Sequence, residues 1–480
     1  MPASTATIAW FRQDLRLADN PALSAAVARG GPVLPLFILD ESGDWAPGGA
    51  SRWWLHHSLE ALAADLRKAG APLCLRRGKA EEILPELVKR TDAGAVFWNR
   101  CYEPAAVARD KRLKKKLTEE GVDVASFNGA LLAKPWELTT GKGEPYKVFT
   151  PFWKALRARG DPRAPLARPK KLAGYDGIDG DELAEWKLLP TKPDWAGGLR
   201  EAWRPGERGA ADELTGFLDE TAKHYKTDRD RPDRAGTSRL SAHLHWGEIS
   251  PRQVWKATQH AVAGGKLSDG AAEAFLRQLG WRDFSSNLIF HWPDFPDRPW
   301  RKEFAAFPWR DDDDAFTAWC QGRSGYPIVD AGLRQLWRTG WMHNRVRMIA
   351  ASFLIKDLLI PWQRGEAWFW DTLVDADLAN NAAGWQWVAG CGADAAPYFR
   401  IFNPVTQGEK FDPKGAYIRQ WVPELSALPD EVIHRPWEAS EDVLEKAKVV
   451  LGETYPAPLV DHKAARARAL AAYDEVKKGA

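Results

Sequence analysis

Cysteine is scarce, with four residues in 480, at positions 74, 101, 320 and 391, and no two of them are spaced as CxxC. That spacing supports neither a disulfide framework nor a cysteine-rich zinc site, and it suits a reducing compartment. A strong charge of one sign is also missing. Lysine and arginine number 67 against 65 aspartates and glutamates, and the resulting +2 does not by itself mark a nucleic-acid binder. Any surface for a polyanion must therefore be a local patch. Long apolar runs are absent as well: MPASTATIAWFRQDLR soon meets Arg12 and Asp14, and MIAASFLI is closed by Lys356. Neither a secretory signal nor a membrane span is expected. No GxGxxG follows the first strand-like run, which excludes a standard dinucleotide half-barrel of the NAD type. The GxGxxA at Gly390, Gly392 and Ala395 lies in a helical region and reads as chance.

Tryptophan is what the chain has in excess, 26 residues against 9 tyrosines. A single tryptophan is ordinarily core packing, but this many also admits base stacking or electron transfer. A hydrophobic content of 45% and a charged content of 28% describe an ordinary globular protein, and 480 residues suffice for two or three domains.

Residues 1–130 alternate β-rich runs with amphipathic stretches, the pattern of βα units around a parallel sheet. Strands are expected at TIAWF (7–11), VLPLFIL (33–39), PLCLR (72–76), AVFWN (95–99) and VDVASF (122–127). Prolines, glycines and lysines then cluster over 131–205, which reads as an inter-domain linker. From 206 to 480 helical periodicity dominates, so the second domain is expected to be all-helical. The fold class is thus α/β plus all-α. The basic run RDKRLKKK (109–116) reads as a solvated helix face.

Four strings carry chemistry. YKTDRDRPDRAGTSRLS ends in hydroxyls that serve either as helix caps or as anion contacts. FLRQLGWRDF places Gln278, Trp281 and Arg282 on one helical face. TGWMHNRVRM contains His343, which taken alone is a packed core histidine. DTLVDADLANNAAGWQWVAGCGADAAPYFRIFNP mixes carboxylates, amides and tryptophans, costly groups to bury without partners.

Together these strings resemble the signature of the DNA photolyase and cryptochrome family. The likeness runs from WFRQDLRL through GYPIVDAGLRQL to FDPKGAYIRQWVPEL. It implies a Rossmann-like N-terminal domain, a long linker and a C-terminal helical domain that binds FAD. Cofactor contacts carried over from the resemblance are Tyr225, Thr237, Ser238, Arg239, Leu240, Ser241, Arg282, Trp341, Arg347, Asp375, Asp377 and Asn381. Asp375 would pair with Arg347, Asp377 would accept a proton from the flavin's pyrimidine-like ring, and Asn381 would face its central-ring nitrogen. Trp309, Trp362 and Trp385 match a relay that carries an electron to the flavin, while Gln278, Trp281, Asn344, Met348 and Trp387 match residues that meet the damaged bases in DNA. Arg229, Arg231, Arg400 and Lys410 are candidates for a basic groove.

The implied activity is that of a lyase, deoxyribodipyrimidine photo-lyase, which uses light to repair cyclobutane pyrimidine dimers. One position departs from that pattern: dimer-repairing relatives commonly carry glutamate where Gln278 stands. A six-four photolyase is the first alternative, opposed by Asn344 and Met348, where such enzymes carry histidines. A cryptochrome, a signalling protein without repair, is the second. It is opposed by Asn381, which is aspartate in plant cryptochromes, and by the lack of an extended tail after YPAPLVDH. An antenna chromophore is expected in the N-terminal domain, methenyltetrahydrofolate first and a deazaflavin second, with Glu103 as a candidate contact. DNA containing pyrimidine dimers is the expected partner. No metal, membrane or obligate protein partner is expected, and the protein is expected to be a cytoplasmic monomer.

Overall fold

The β-rich runs of the N-terminal region pair as one parallel sheet in the order β3-β2-β1-β4-β5, seen in a computed structural model that describes residues 5–396 and 398–478. The strands are β1 Thr7–Phe11, β2 Val33–Leu39, β3 Cys74–Arg77, β4 Ala95–Asn99 and β5 Asp123–Phe127. β1, β2 and β4 coincide with the expected runs. β3 starts later than expected, with its register pairing Leu36 to Cys74, because Pro72 has no N–H to give a ladder. β1, β2 and β4 are buried along their whole length, as parallel strands covered on both faces must be. Ile8, Leu34, Leu36 and Val96 pack with Leu84, Leu87, Leu113 and Leu117 from the crossover helices. Each such side chain contributes about 2 kcal/mol by leaving water.

The strand order reverses between β1 and β4, the place where doubly wound sheets bind ligands. Here the chain fills that crevice with its own polar groups. Asn99 Nδ2 donates to Asp14 Oδ2 at 2.5 Å and to Asn20 Oδ1 at 2.7 Å, and the buried Arg12 donates to Asp110 at 2.6 Å. This accounts for the missing glycine fingerprint.

The chain divides into two compact units at positions different from those expected. The first holds residues up to Lys223, then Ser238–Pro293 and Val374–Ala379; the second holds His224–Thr237, Asp294–Leu373 and the chain from Asn380 onward. The stretch 131–205 therefore packs inside the first unit and is no exposed linker. Its prolines misled: Phe149, Phe152, Trp153, Leu172 and Trp186 anchor it by burial. Trp153 Nε1 donates to Glu273 at 2.8 Å, and its ring lies so close to Gly280 that an added Cβ would stand 2.4 Å away. The helices Pro251–Ala263 and Asp269–His291 also belong to this unit. The second unit is helical, with Pro327–Thr339, Asn344–Ser352 and Trp362–Thr372 among its helices.

Asp283, on the helix Asp269–His291, pins the former linker by accepting from the Leu132 and Ala133 amides at 2.8 and 3.1 Å. Burial pushes its carboxyl up to about 7. The folded state therefore binds more protons than the unfolded chain between the ordinary carboxylate range and neutrality, and this group's contribution to stability falls as pH rises through that window. Asp283→Asn keeps an acceptor oxygen and removes the charge. Between about pH 5 and about pH 8 the melting temperature of the wild type should fall relative to that of the variant. A constant difference across that range would refute the assignment.

Candidate active site

The TSRLS turn, of which Ser238–Ser241 belong to the first unit, is built on an uncommon backbone state. Arg239 has φ +52°, a left-handed conformation that a non-glycine residue holds only when its surroundings fix it. The fixing contacts face inward. Its guanidinium lies 4.1 Å from the Trp203 ring centroid and donates to Ala202 O at 2.9 Å. Beneath the turn, Trp203 and Trp54 pack edge to face at 5.3 Å, and Trp54 lies 5.0 Å from His243. The fully buried Glu248 accepts from Trp54 Nε1 at 3.0 Å and from Gly206 N at 2.7 Å, and it also bonds His243. The helix that follows, Ser241–His245, is too short for a strong dipole, so the groups of the turn with anion-binding chemistry are its hydroxyls and amides.

Also in this unit, Asp375 and Asp377 sit in a tight turn closed by Asp377 N donating to Asp375 O at 2.8 Å. Trp246 Nε1 holds that turn through Val374 O at 3.2 Å, and His245 Nδ1 stands 3.9 Å from the Asp377 carboxylate. Arg282 donates to Ala130 O at 2.7 Å and to Leu244 O at 3.0 Å, so it braces the end of the short helix. Trp281 is stacked on Phe149 at 3.5 Å between centroids. Gln278 is half-buried and gives one amide hydrogen back to Ala274 O at 3.1 Å. Glu103 Oε2 is buried and has no hydrogen-bond partner among the described residues.

In the second unit Tyr225 is buried, and burial raises its phenol pKa. His343 caps the helix Asn344–Ser352, its Nδ1 accepting from Arg345 N at 3.2 Å. Burial lowers its pKa to about 4, so near neutrality it is an uncharged cap. Arg345 donates to Asp230 at 2.9 Å, which ties the helix to the Tyr225 loop. Arg347 Nε donates to Met342 O at 2.7 Å, and Trp341 lies 6.2 Å from the His343 ring. Asn344 is exposed, with its amide 3.9 Å from Met348 Sδ one turn on. Of the proposed basic groove, Arg231 is engaged by Asp233, while Arg229 lies over Tyr225 and Lys410 over Phe411.

Asn381 Nδ2 donates to Glu366 O at 3.0 Å, which uses one of its two amide hydrogens and anchors the side chain. Glu366 itself was not expected. It is 1% exposed, and burial, then Asp297, raises its pKa well above the usual carboxylate range. A lone glutamate inside QRGEAWFW was the available signal.

The three relay candidates grade from surface to interior: Trp309 is half-buried, and Trp362 and Trp385 are 1% and 2% exposed. Arg310 N donates to Leu359 O at 2.8 Å, which brings the Trp309 segment beside the start of the helix Trp362–Thr372. The Trp385 ring lies over Gly365, one turn after Trp362 on that helix. Trp387 is flanked by Arg400 at 5.8 Å and lines a small cavity with Tyr398 and Phe402. The GxGxxA is a helix end: the amides of Gly390, Cys391 and Gly392 all donate to Gln386 O.

These groups fit a flavin adenine dinucleotide. In the first unit the turn's hydroxyls and amides suit a diphosphate and the Asp377 carboxylate suits a ring N–H, while in the second unit Asn381 offers an amide. A profile described as the FAD binding domain of DNA photolyase matches residues 275–475, and one described as DNA photolyase matches 7–170. The chain belongs to the DNA photolyase and cryptochrome family.

Within that family it is 54% identical to a deoxyribodipyrimidine photo-lyase of Agrobacterium fabrum, across 98% of each chain. It is 42% identical to cryptochrome-1 of Arabidopsis thaliana, across 96% of this chain and 69% of that one. The crystal structure of a bacterial class III photolyase from Agrobacterium tumefaciens superposes with TM-score 0.97 at 54% identity, covering 100% of this chain and 99% of that one.

Proposed function

We propose that the protein is a light-driven lyase that splits cyclobutane pyrimidine dimers in DNA. The carrying observation is 54% identity, end to end, to a protein named deoxyribodipyrimidine photo-lyase. The Asn344 and Met348 pair supports the dimer over the six-four lesion. In this reading Trp281 and Trp387 stack on flipped bases, a sequence-tolerant use of aromatic faces. Flipping costs a few kcal/mol, less at a lesion that already pairs badly, and this adds selectivity. The TSRLS turn, Asp375, Asp377 and Asn381 hold the cofactor. When bound, reduced FAD supplies on excitation the electron that opens the dimer and takes it back. The amide of Asn344 orients the lesion, and the uncharged His343 cap fixes the helix that carries it.

The antenna chromophore is assigned to the first unit, methenyltetrahydrofolate ahead of a deazaflavin. The buried Glu103 oxygen supports this, as do its neighbours: Tyr102 and Phe290 flank the exposed Trp136 at 6.3 and 5.4 Å, and Arg100 and Lys134 stand near that ring. Such a set suits a flat anionic ring system. The protein is proposed to act as a cytoplasmic monomer. Among the described residues no helix is long and apolar enough to cross a membrane.

Illuminating the purified protein with DNA carrying each lesion should repair the dimer alone, and six-four repair would overturn the reading. Gln278 gives a sharper expectation. An amide can donate to an electron-rich dimer much as a protonated glutamate does, so Gln278→Glu should raise the splitting yield only modestly. A large loss of repair in that variant would show a pocket built around the amide.

A further inference from the structure

The helix Gly49–Ala69 of the first unit gathers donors that the repair site does not use. His57 Nδ1 lies 2.9 Å from Glu60 Oε2, and His56 Nε2 lies 3.5 Å from Glu60 Oε1. One ligand-type atom from each of these residues falls within 4.8 Å of the others. We propose that His56, His57 and Glu60 form a binding site for one divalent transition-metal ion of the zinc type.

Donor spacing is the first argument. Bonds of about 2.0–2.1 Å in a tetrahedral zinc site put neighbouring donors about 3.3 Å apart. The two histidine–carboxylate distances, 2.9 and 3.5 Å, bracket that value. Donor chemistry is the second. Two imidazoles and one carboxylate suit zinc, copper or nickel, whereas magnesium and calcium need more oxygen ligands. Rigidity is the third. Trp53 packs edge-on against His57 at 4.8 Å, Trp54 is held by Glu248, and Leu55, Leu59 and Leu62 bury the same helix. The His57 and Glu60 side chains are 29% and 56% exposed, so the ion has an entry path and water completes its coordination.

Chelator-treated, tag-free holoprotein should bind one zinc ion in a calorimetric titration, and added zinc should raise its melting temperature by linkage. Glu60→Gln changes an exposed side chain and should leave the metal-free melting temperature unchanged, while His57→Ala, which also removes packing on Trp53, is read against its own metal-free melting temperature. Losing an outer-shell partner alone weakens metal sites by about 10–100-fold, so each variant should weaken binding by at least about tenfold. Magnesium should give no saturable heat. Absence of saturable zinc binding, or unchanged affinity in both variants, would overturn the proposal, and neither result bears on the flavin site.

Discussion

Trp385→Phe should stop light from reducing oxidised flavin while sparing repair by enzyme already reduced chemically. An indole gives up an electron far more readily than a benzene ring, and Trp385 is the relay candidate whose segment also carries Asn381. Phenylalanine keeps much of the packing on Phe369, whose ring lies 4.9 Å away, so folding and cofactor content should survive. The measurement is flavin absorbance under blue light with an external reductant, beside dimer repair by the dithionite-reduced variant. Undiminished photoreduction would move the electron to another route. The place to look then is the parallel pair Trp337 and Trp368, 6.0 Å apart and 2° from coplanar, with Trp337 58% exposed.

Gly365→Ala should destabilise the protein, although alanine is the better helix former. A Cβ at this position would stand 2.1 Å from Trp385 Cη2 and 2.7 Å from Leu354 Cδ2. Helix propensity favours alanine by about 1 kcal/mol, but overpacking a tight core costs about 1–3 kcal/mol and here the obstacle is a large buried ring. The clash wins, since a large buried ring puts the cost at the upper end, with a net loss of up to about 2 kcal/mol in denaturant unfolding. Photoreduction should slow as well, because the ring that moves is the relay candidate. A gain of about 1 kcal/mol, as propensity alone dictates, would mean that Trp385 does not pack on this helix.

β1, β2 and β4 were legible to the residue because they are buried on both faces, and burial writes a continuous apolar run. The stretch 131–205 was misread for the opposite reason. Composition reports prolines and lysines, whereas its fold is decided by a few aromatics such as Phe149 and Trp153, whose partners lie more than a hundred residues away. At the site, residue types were legible and orientations were not. Arg239 belongs to the TSRLS string, yet its side chain turns to Trp203. Glu366 shows its importance only once its burial and the Asn381 hydrogen bond are seen. Gly365 looks like an ordinary helix glycine until the Trp385 ring is placed over it.

The division into two units bears on how the chain is made. A ribosome delivers residues in order, but the first unit includes Val374–Ala379, whose Val374 carbonyl is the partner of Trp246 Nε1. This unit therefore cannot finish folding when its sheet has emerged, nor after the helix Asp269–His291. It must wait, partly assembled, while Asp294–Leu373 of the second unit is synthesised, and a nascent chain halted before Ala379 leaves both units incomplete. Protease resistance of the first unit in stalled chains should accordingly appear only once Ala379 has emerged, and that of the second unit later still.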